Sequence, residues 1–267
     1  MCGIAGILNL KGNPISPLTL KKMTDAIKHR GPDGEGQWQE ENIGIGHRRL
    51  AILDLSPAGH QPMLSSNKRW VLSYNGEVYN YKELRIELEA EGYLFRSNTD
   101  SEVVLYSLIH WKEKALLKFN GMFALALWDR KEKSLFLARD RYGIKPLYYC
   151  MQNQIFSFAS EQKSILEIPE FTKSMNFSAL QEYLTFQNIF TDQTLLADIN
   201  VLPSGNFGIL NFGRGNSPNL KVYSYWDYEF SEQEMFSSQQ EYVEELDRLF
   251  VQAVNRQLIS DVDLGAY

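Results

Sequence analysis

The chain has 267 residues and a net charge of -6; 44% of its residues are hydrophobic, 22% are charged, and its mean hydropathy is −0.32. These values describe a folded globular chain of one large domain, or of one domain and part of another, and argue against disorder. Basic blocks, apolar runs near the roughly 20 residues of a membrane span, and a secretory signal are all missing, so we expect no nucleic-acid or membrane partner. Two cysteines are too few for a disulfide framework, which predicts a reducing, cytoplasmic location.

Strand-like runs separated by turn-rich segments dominate the first two hundred residues. The predicted strands are residues 3–10, 44–53, 70–74, 122–128, 134–139 and 155–159. The glycine-rich run 31–36 lacks the Gly-Lys-Ser/Thr ending of a phosphate loop and predicts a turn. The runs 122–128 and 134–139, joined by a charged turn, are nearly apolar, so both faces of these strands must be covered.

Three helix starts are recognisable among the strands. Ser16 precedes a proline at the first helical position, Asn80 opens a helix that stops at Gly92, and Thr99 and Glu102 have capping-box spacing. Helices interspersed with hairpin-linked strands predict an α+β fold in which two sheets pack face to face with helices outside them.

The character of the chain changes from about Asn211. Residues 213–218 predict a surface turn, and a Tyr- and Trp-rich segment after them predicts a last strand or arm. Ser238 and Glu241 begin an amphipathic helix whose apolar stripe, which reaches Leu258, is wider than the usual third of the helix surface. This stripe, followed by a strand-like segment at 263–267, predicts a second domain beyond the chain.

Cys2 directly follows the initiator methionine, in a run continued by Gly3 and Ile4. Methionine removal is favoured when the second residue is small, so we predict that the mature chain begins with Cys2. A thiol with a pKa of about 8.5 and an α-amine with a pKa of about 8 would then share one residue, and the amine could act as base for the thiol. The alternative is a small apolar residue at the start of a strand, which is how we interpret Cys150: a buried, inert thiol.

Further segments, in this order behind the Cys-Gly-Ile start, resemble the glutaminase domain of glutamine-hydrolysing asparagine synthetases, a class II glutamine amidotransferase. They are His29-Arg30-Gly31-Pro32-Asp33, Arg49-Leu50-Ala51-Ile52-Leu53-Asp54, Tyr74-Asn75-Gly76-Glu77-Val78-Tyr79-Asn80, Asn98-Thr99-Asp100-Ser101-Glu102, Arg139-Asp140-Arg141-Tyr142-Gly143-Ile144-Lys145-Pro146-Leu147-Tyr148-Tyr149, Phe158-Ala159-Ser160-Glu161, Leu202-Pro203-Ser204-Gly205 and Tyr225-Trp226-Asp227. The resemblance implies a four-layer αββα sandwich of the N-terminal-nucleophile hydrolase type. It also implies a glutaminase domain at residues 2–210, and a connecting arm and the first helix and strand of a synthetase domain at 211–267.

The resemblance assigns chemistry to individual residues. Cys2 would attack the glutamine side-chain amide, and Asn75 with Gly76 would form the oxyanion hole through a side-chain amide and a backbone N–H. Glycine would let the substrate approach the backbone closely because it has no Cβ. The alternative for Asn75-Gly76 is a type I′ hairpin turn, for which this dipeptide is the strongest short signal.

Glutamine is a zwitterion, so its binding calls for one cation and one anion at fixed places. Arg49 can hold the α-carboxylate with a bidentate fork, and Asp100 can pair with the α-ammonium, helped by Glu77. In the family, the strand that matches Leu50, Ala51, Ile52 and Leu53 lines the same pocket through its backbone groups. The alternatives are a surface arginine for Arg49 and a favourable first-turn charge on a helix for Asp100.

The resemblance also implies what lies outside this site. The histidines have no metal-ligand spacing, so we expect no metal and no cofactor in the glutaminase half; His29 and Arg30 are expected to fix a loop beside the pocket. ATP and Mg are expected only in a synthetase domain C-terminal to this chain, which Arg139 and Asp140 would face. A homodimer is compatible with the sequence, which leaves the oligomeric state open.

Three functions remain open at this stage. The first is release of ammonia from L-glutamine for an asparagine synthetase-like domain. The second is a class II amidotransferase that serves another acceptor, such as a sugar phosphate, a phosphoribosyl donor, or a surface sugar or peptide carboxylate. The third is a non-catalytic domain that kept the fold, against which the retention of Cys2, Arg49, Asn75, Gly76 and Asp100 argues.

Overall fold

The computed structural model describes residues 1–212, 219–230, 238–263 and residue 265. The strands are β1 (Gly3–Asn9), β2 (Gly34–Glu40), β3 (Ile43–Arg49), β4 (Met63–Leu64), β5 (Trp70–Val78), β6 (Gly121–Asp129), β7 (Ser134–Arg139), β8 (Tyr148–Gln152), β9 (Ile155–Ala159), β10 (Ile199–Val201), β11 (Asn206–Asn211) and β12 (Lys221–Ser224). The α-helices are α1 (Pro17–Asp25), α2 (Tyr81–Ala90), α3 (Asp100–Trp111), α4 (Ala115–Lys118), α5 (Gln162–Ile165), α6 (Phe177–Phe186) and α7 (Gln239–Gln257).

The strands form two six-stranded antiparallel sheets. Sheet one has the order β10-β8-β9-β1-β3-β2, and sheet two has the order β12-β11-β7-β6-β5-β4. Both sheets are built largely from neighbours along the chain, as hairpin-linked strands predict. The neighbouring strands that are not consecutive along the chain are β8 and β10, β1 and β9, and β1 and β3 in sheet one, and β7 and β11 in sheet two.

Three apolar clusters separate four layers. The cluster between the sheets holds residues such as Ile4, Ile45 and Leu137, while the outer face of sheet one packs against α1 and α5. The outer face of sheet two packs against α2, α3 and α4 through residues such as Leu88 and Val104. This arrangement confirms the predicted four-layer αββα sandwich, in which the apolar strands β6 and β7 are covered on both faces.

Several strand boundaries differ from the sequence prediction. The strand expected at 44–53 ends at Arg49, because the chain after it turns away as a loop. The strand expected at 70–74 continues through Asn75 and Gly76 to Val78, so the hairpin-turn interpretation of this dipeptide is wrong. The glycine-rich run 31–36 is only partly a turn, since β2 begins at Gly34.

The helix caps behave in two ways. Thr99 accepts a hydrogen bond from the backbone N–H of Glu102 at 3.3 Å, and Ser238 caps α7 through Glu241 in the same way and at the same distance. Asn80 precedes α2 as predicted, but it does not cap that helix with its side chain. Its amide instead bonds the backbone of the segment before β6, at Lys118 and Asn120, which the local sequence could not indicate.

The C-terminal part of the described chain combines a short strand with an exposed helix. Strand β12 pairs with β11 at the edge of sheet two, while the predicted turn at 213–218 lies outside the described residues. Helix α7 has the predicted apolar stripe, and it is exposed: Val243 by 54%, Phe250 by 66% and Leu258 by 57%. Among the helices that the structure describes, none is long and apolar enough to cross a membrane.

A neutral histidine lies between the two sheets. His47 of β3 is 1% exposed, and its Nδ1 lies 3.3 Å from Ser73 Oγ of β5. Its Nε2 has no hydrogen-bond partner among the described residues. Burial, with smaller effects from His60 and Arg49, lowers the pKa of His47 to about 3. The folded chain therefore keeps this ring uncharged at pH values where an unfolded chain would protonate it.

This histidine should make the fold sensitive to acid. Because the folded-state pKa lies below the unfolded value of about 6.5, stability from this group is complete above that pH and is lost as pH falls toward 3. We expect the free energy of unfolding of the wild type to fall, relative to His47→Gln, by about 2 kcal/mol between pH 7.5 and pH 5. Urea denaturation of both proteins at each pH measures this difference, and parallel pH dependences would contradict it.

Candidate active site

Cys2 lies at the start of β1, beside the end of β3. The antiparallel register pairs Gly3 with Arg48, which brings Leu50 next to Cys2. The Leu50 N–H lies 3.3 Å from the Cys2 sulfur, and the thiol donates to the Leu50 carbonyl at 3.5 Å. Arg30 donates from Nε to the Cys2 carbonyl at 2.9 Å, which fixes the backbone on the other side. The thiol is therefore held in one orientation by backbone groups.

Arg30 is itself anchored by the segment after β9. Its Nη1 lies 3.0 Å from Glu161 Oε1, and His29 Nε2 lies 2.8 Å from the same oxygen. Burial opposes ionisation of Glu161, but hydrogen bonds from Lys163, Arg30 and His29 lower its pKa to about 2. His29 and Arg30 thus fix the loop beside the thiol, as the sequence predicts.

A cavity of about 140 Å³ opens beside the thiol. Its walls are formed by Met1, Cys2, Arg49, Leu50, Ile52, Leu53, Gly59, Gln61, Tyr74, Asn75, Gly76, Glu77, Thr99, Asp100, Ser101, Met122 and Lys145. All the site residues predicted from the sequence are among them except Ala51, whose backbone N–H bonds to Asp33 at 2.9 Å. In the part of the chain that the structure describes, no group of three or more His, Cys, Asp and Glu side chains could hold a metal ion.

Strand β5 presents Asn75 toward this cavity. Side chains alternate along a strand, so Asn75 lies on the same inner face as Ser73, which contacts sheet one through His47 and Gly46. Asn75 is 1% exposed, and its Nδ2 has no hydrogen-bond partner among the described residues. A buried amide left unpaired costs free energy, so this donor is available to a group that enters the cavity.

Gly76 is required by the neighbouring strand. A Cβ at this position would lie 2.3 Å from the Met122 carbonyl oxygen and 2.7 Å from Phe123 Cα, both backbone atoms of β6. The register pairs Gly76 with Phe123, so the two strands approach closely at this point. The missing side chain thus has a packing cause, in addition to any role in substrate approach.

Replacement of this glycine should destabilise the fold. Because Gly76→Ala would force β5 and β6 apart, we expect a loss of about 1–3 kcal/mol in the free energy of unfolding, the usual cost of overpacking. Gly34→Ala is the matched control, since a Cβ there meets only the Arg49 side chain at an ordinary 3.4 Å. Equal stability of the two variants in chemical denaturation would argue against the close approach of β5 and β6.

Arg49 organises the loop that follows β3. Its guanidinium donates to the backbone carbonyls of Leu53 at 3.2 Å, Asp54 at 2.5 Å and Ser56 at 2.9 Å. It also packs against Gly59, where a Cβ would lie 2.1 Å from Nη2. Arg49 is therefore part of the cavity wall, and the surface-arginine interpretation is wrong.

Asp100 lies at the start of α3, beneath β5. Its carboxylate accepts hydrogen bonds from the Tyr74 hydroxyl at 2.7 Å and from the Val78 N–H at 3.0 Å, and the residue is 5% exposed. Burial raises the pKa of Asp100 despite these bonds. Burial, followed by the charge of Asp100, also raises the pKa of Glu77. The two carboxylates thus form an acidic pair that a cation in the cavity would stabilise.

Arg139 and Asp140 face inward, so the expectation that they face a further domain is wrong. Asp140 is 1% exposed and accepts hydrogen bonds from four backbone N–H groups: those of Phe123 at 3.1 Å, Tyr142 at 3.1 Å, Ile144 at 3.0 Å and Lys145 at 3.0 Å. Arg139 donates to the carbonyls of Gly143 at 2.6 Å, Lys145 at 2.8 Å and Leu202 at 2.9 Å. Together they shape the loop that ends at Lys145.

Sequence reasoning missed Lys145 and Tyr74 as residues of the cavity wall. Both lie within motifs that carried the family resemblance, so the motifs themselves were the available signal. Their places depend on contacts between distant segments: Tyr74 bonds to Asp100, and the loop before Lys145 packs onto β6 through Asp140.

The comparisons with known proteins agree with this site. A family model described as a glutamine amidotransferase domain matches residues 1–226. The chain belongs to this family. It is a class II domain, homologous to the N-terminal part of glutamine-hydrolysing asparagine synthetases, as the sequence motifs predict.

Individual relatives give the same result. Over the whole chain it is 36% identical to asparagine synthetase [glutamine-hydrolyzing] 1 of Bacillus subtilis and 31% identical to amidase chry2 of Gibberella zeae. The chain spans only 42% and 40% of the lengths of these two relatives.

A solved structure supports the fold. The glutamine phosphoribosylpyrophosphate amidotransferase of B. subtilis superposes with a TM-score of 0.62 at 18% identity, covering 84% of this chain and 50% of that one. This likeness confirms the N-terminal-nucleophile type of the αββα sandwich.

Proposed function

We propose that this chain hydrolyses the side-chain amide of L-glutamine to glutamate and ammonia through a thioester on Cys2. One observation carries the proposal: the unpaired, buried Asn75 amide and the backbone-held Cys2 thiol line the same cavity. The first can donate a hydrogen bond, and the second can attack an electrophilic carbon. An amide carbonyl placed between them would offer its oxygen to the donor and its carbon to the nucleophile.

The reaction follows from these groups. Once Met1 is removed, the α-amine of Cys2 accepts the thiol proton while sulfur bonds to the amide carbon, and the carbonyl electron pair moves to oxygen. Asn75 and the backbone N–H of Gly76 stabilise that oxyanion. Collapse of the intermediate breaks the C–N bond, and the amine's proton passes to the leaving nitrogen as ammonia. Water then hydrolyses the thioester to glutamate and frees the thiol.

The charged groups of the cavity suit the α-carbon end of glutamine. Three of the five N–H donors of Arg49 bond to loop carbonyls, which leaves donors for the α-carboxylate. Asp100 and Glu77 would pair with the α-ammonium, which would relieve the burial of two neighbouring carboxylates. The Leu50–Leu53 backbone, shaped by Arg49, would close the pocket.

The ammonia would serve an ATP-dependent synthetase domain of the asparagine synthetase type, beginning within residues 211–267. This finer proposal is supported by the B. subtilis synthetase, which matches the whole of this chain although the chain spans only 42% of it, and by the exposed apolar stripe of α7. ATP and Mg would bind only to that domain. The alternative acceptor, a surface sugar or peptide carboxylate, would require a different domain after the same glutaminase.

Replacement of the nucleophile should abolish glutamine hydrolysis without unfolding the domain. Cys2→Ala is expected to be inactive in an ammonia-release assay, because no other group on the cavity wall can form the thioester. Cys150→Ala is the matched control and should keep nearly full activity, since Cys150 is 2% exposed and burial raises its pKa to about 12. Intact-mass measurement should show loss of Met1 in active preparations. An active Cys2→Ala variant, or an inactive wild type with a free Cys2 amine, would overturn the proposal.

The Asn75 amide should act mainly in the chemical step. We expect Asn75→Ala to lower kcat by about 10²–10³, the usual effect of removing one oxyanion donor, with a much smaller change in KM. Asn75→Asp keeps the size of the side chain but replaces the donor with an acceptor, so its loss should be at least as large. Steady-state kinetics of both variants measure this, and a change confined to KM would mean that Asn75 only binds substrate.

A further inference from the structure

Lys145 is a buried cation beside the N-terminus. It is 5% exposed and lies on the cavity wall with Cys2 and Glu77. Its Nζ lies 3.1 Å from the sulfur of Met1, the residue that precedes Cys2. Among the described residues, it forms no ion pair within 4.0 Å, although buried lysines are almost always paired. The reaction proposed above does not use this group.

Hydrogen bonds from two neighbouring side chains hold the backbone of Lys145 in place. Its backbone N–H donates to Asp140 and its carbonyl accepts from Arg139, so both backbone polar groups of Lys145 are held by side chains. Asp140 in turn holds β6 through Phe123. The backbone of Lys145 is therefore fixed relative to β6, which is typical of residues that must keep one position relative to reacting atoms.

The charges around the N-terminus come from every side of the site. Arg30 and Asp33 belong to the segment before β2, and Arg49 and Asp100 are on the cavity wall at the end of β3 and the start of α3. The side-chain charges that act on Lys145 itself are those of Glu77, Arg30, Cys2 and Asp140. Burial lowers the pKa of the Met1 ammonium; the charge of Cys2, and then that of Asp33, opposes this effect, while the positive charges of Arg30 and Lys145 add to it. For the Cys2 thiol, burial raises the pKa, and Arg49 is among the groups that oppose it.

We propose that Lys145 is a positioning residue for the nucleophile: after Met1 is removed, its ammonium stands beside the new N-terminus and favours an uncharged α-amine together with an anionic sulfur. This inference rests on the proposed function, because it concerns the same thiol. Removal of Met1 takes away the sulfur that Lys145 contacts, and the ammonium is left on the same cavity wall as Cys2, with which it interacts electrostatically. A nearby positive charge disfavours protonation of the amine and favours the thiolate, so both effects shift reactivity to lower pH.

The test compares Lys145→Met, which removes the charge at similar length, with Lys145→Arg, which keeps it. All variants carry Cys150→Ala so that only Cys2 can be alkylated, and mass spectrometry confirms loss of Met1. Lys173→Met, at an exposed loop position, is the matched control. Two quantities are measured against pH: the rate of Cys2 alkylation by iodoacetamide and kcat/KM for glutamine.

In Lys145→Met, we expect the midpoint of the alkylation profile and the acidic limb of kcat/KM to move up by about one pH unit or more, the effect of removing a nearby charge. Activity lost near neutral pH should return at higher pH, and KM should stay within about twofold. Lys145→Arg and Lys173→Met should keep the wild-type profiles. If Lys145→Met does not fold, Lys145→Gln replaces it.

Unchanged profiles in the charge-removing variant would overturn the proposal, and so would a loss of activity that high pH does not restore. A change confined to KM would assign Lys145 to substrate binding instead, and an Arg variant that behaves like the Met variant would exclude charge as the cause. The alkylation profile needs no turnover. A wild type that fails to hydrolyse glutamine would therefore refute the proposed function, while the effect of Lys145 on Cys2 is still decided.

Discussion

The pairing of β1 with β3 is the constraint on which the site depends. Because Gly3 lies opposite Arg48, the Leu50 N–H reaches the Cys2 sulfur, and successive side chains of β3 point in opposite directions. Arg48 is consequently buried on the outer face of sheet one, where it forms ion pairs with Asp25 and Glu35, while Arg49 faces the cavity. A slip by one residue would exchange the two arginines and separate the thiol from its backbone donor.

The sequence motifs that follow the Cys-Gly-Ile start in a fixed order made the fold and the predicted residues of the cavity wall recognisable from the sequence. Strands such as Ser134–Arg139 and Ile155–Ala159 have local apolar patterns, and Thr99 caps α3 with a local hydrogen bond, so each could be placed in isolation. Burial of the Asp140 side chain could not be predicted from the sequence in this way. A charged, tyrosine-containing motif is typical of a surface, and only the four backbone N–H groups gathered by folding make burial of that carboxylate favourable. Strand β2 was missed for a similar reason: a Cβ on Gly36 would lie 1.9 Å from the Gln61 carbonyl oxygen, in a segment distant along the chain, and the local sequence does not indicate that contact.

The loop after β3 is held from two directions. From the cavity side, Arg49 gathers the carbonyls of Leu53, Asp54 and Ser56. From the opposite side, the segment after α7 contacts the same loop: the Asp261 N–H donates to the Ile52 carbonyl at 2.9 Å, and the Asp54 N–H donates to the Asp261 carboxylate at 2.7 Å. The wall of the pocket and the exposed helix are thereby joined through two hydrogen bonds, so displacement of the segment after α7 must either break them or move the loop.

The charges of the cavity explain why it suits a zwitterion. Burial raises the pKa values of Asp100 and Glu77, and the charge of Asp100 adds to the effect on Glu77. Arg49 is a half-buried cation on the wall of the same cavity. A ligand that carries only an amine or only a carboxylate would compensate one set and leave the other partly desolvated, which is costly in a closed site. A zwitterion pairs with both sets at once and adds no net charge. The acidic pair beneath β5 and the arginine at the end of β3 therefore favour the same class of ligand, one that carries both an ammonium and a carboxylate. Loss of the acidic pair or of the arginine would leave one charge of such a ligand without a partner.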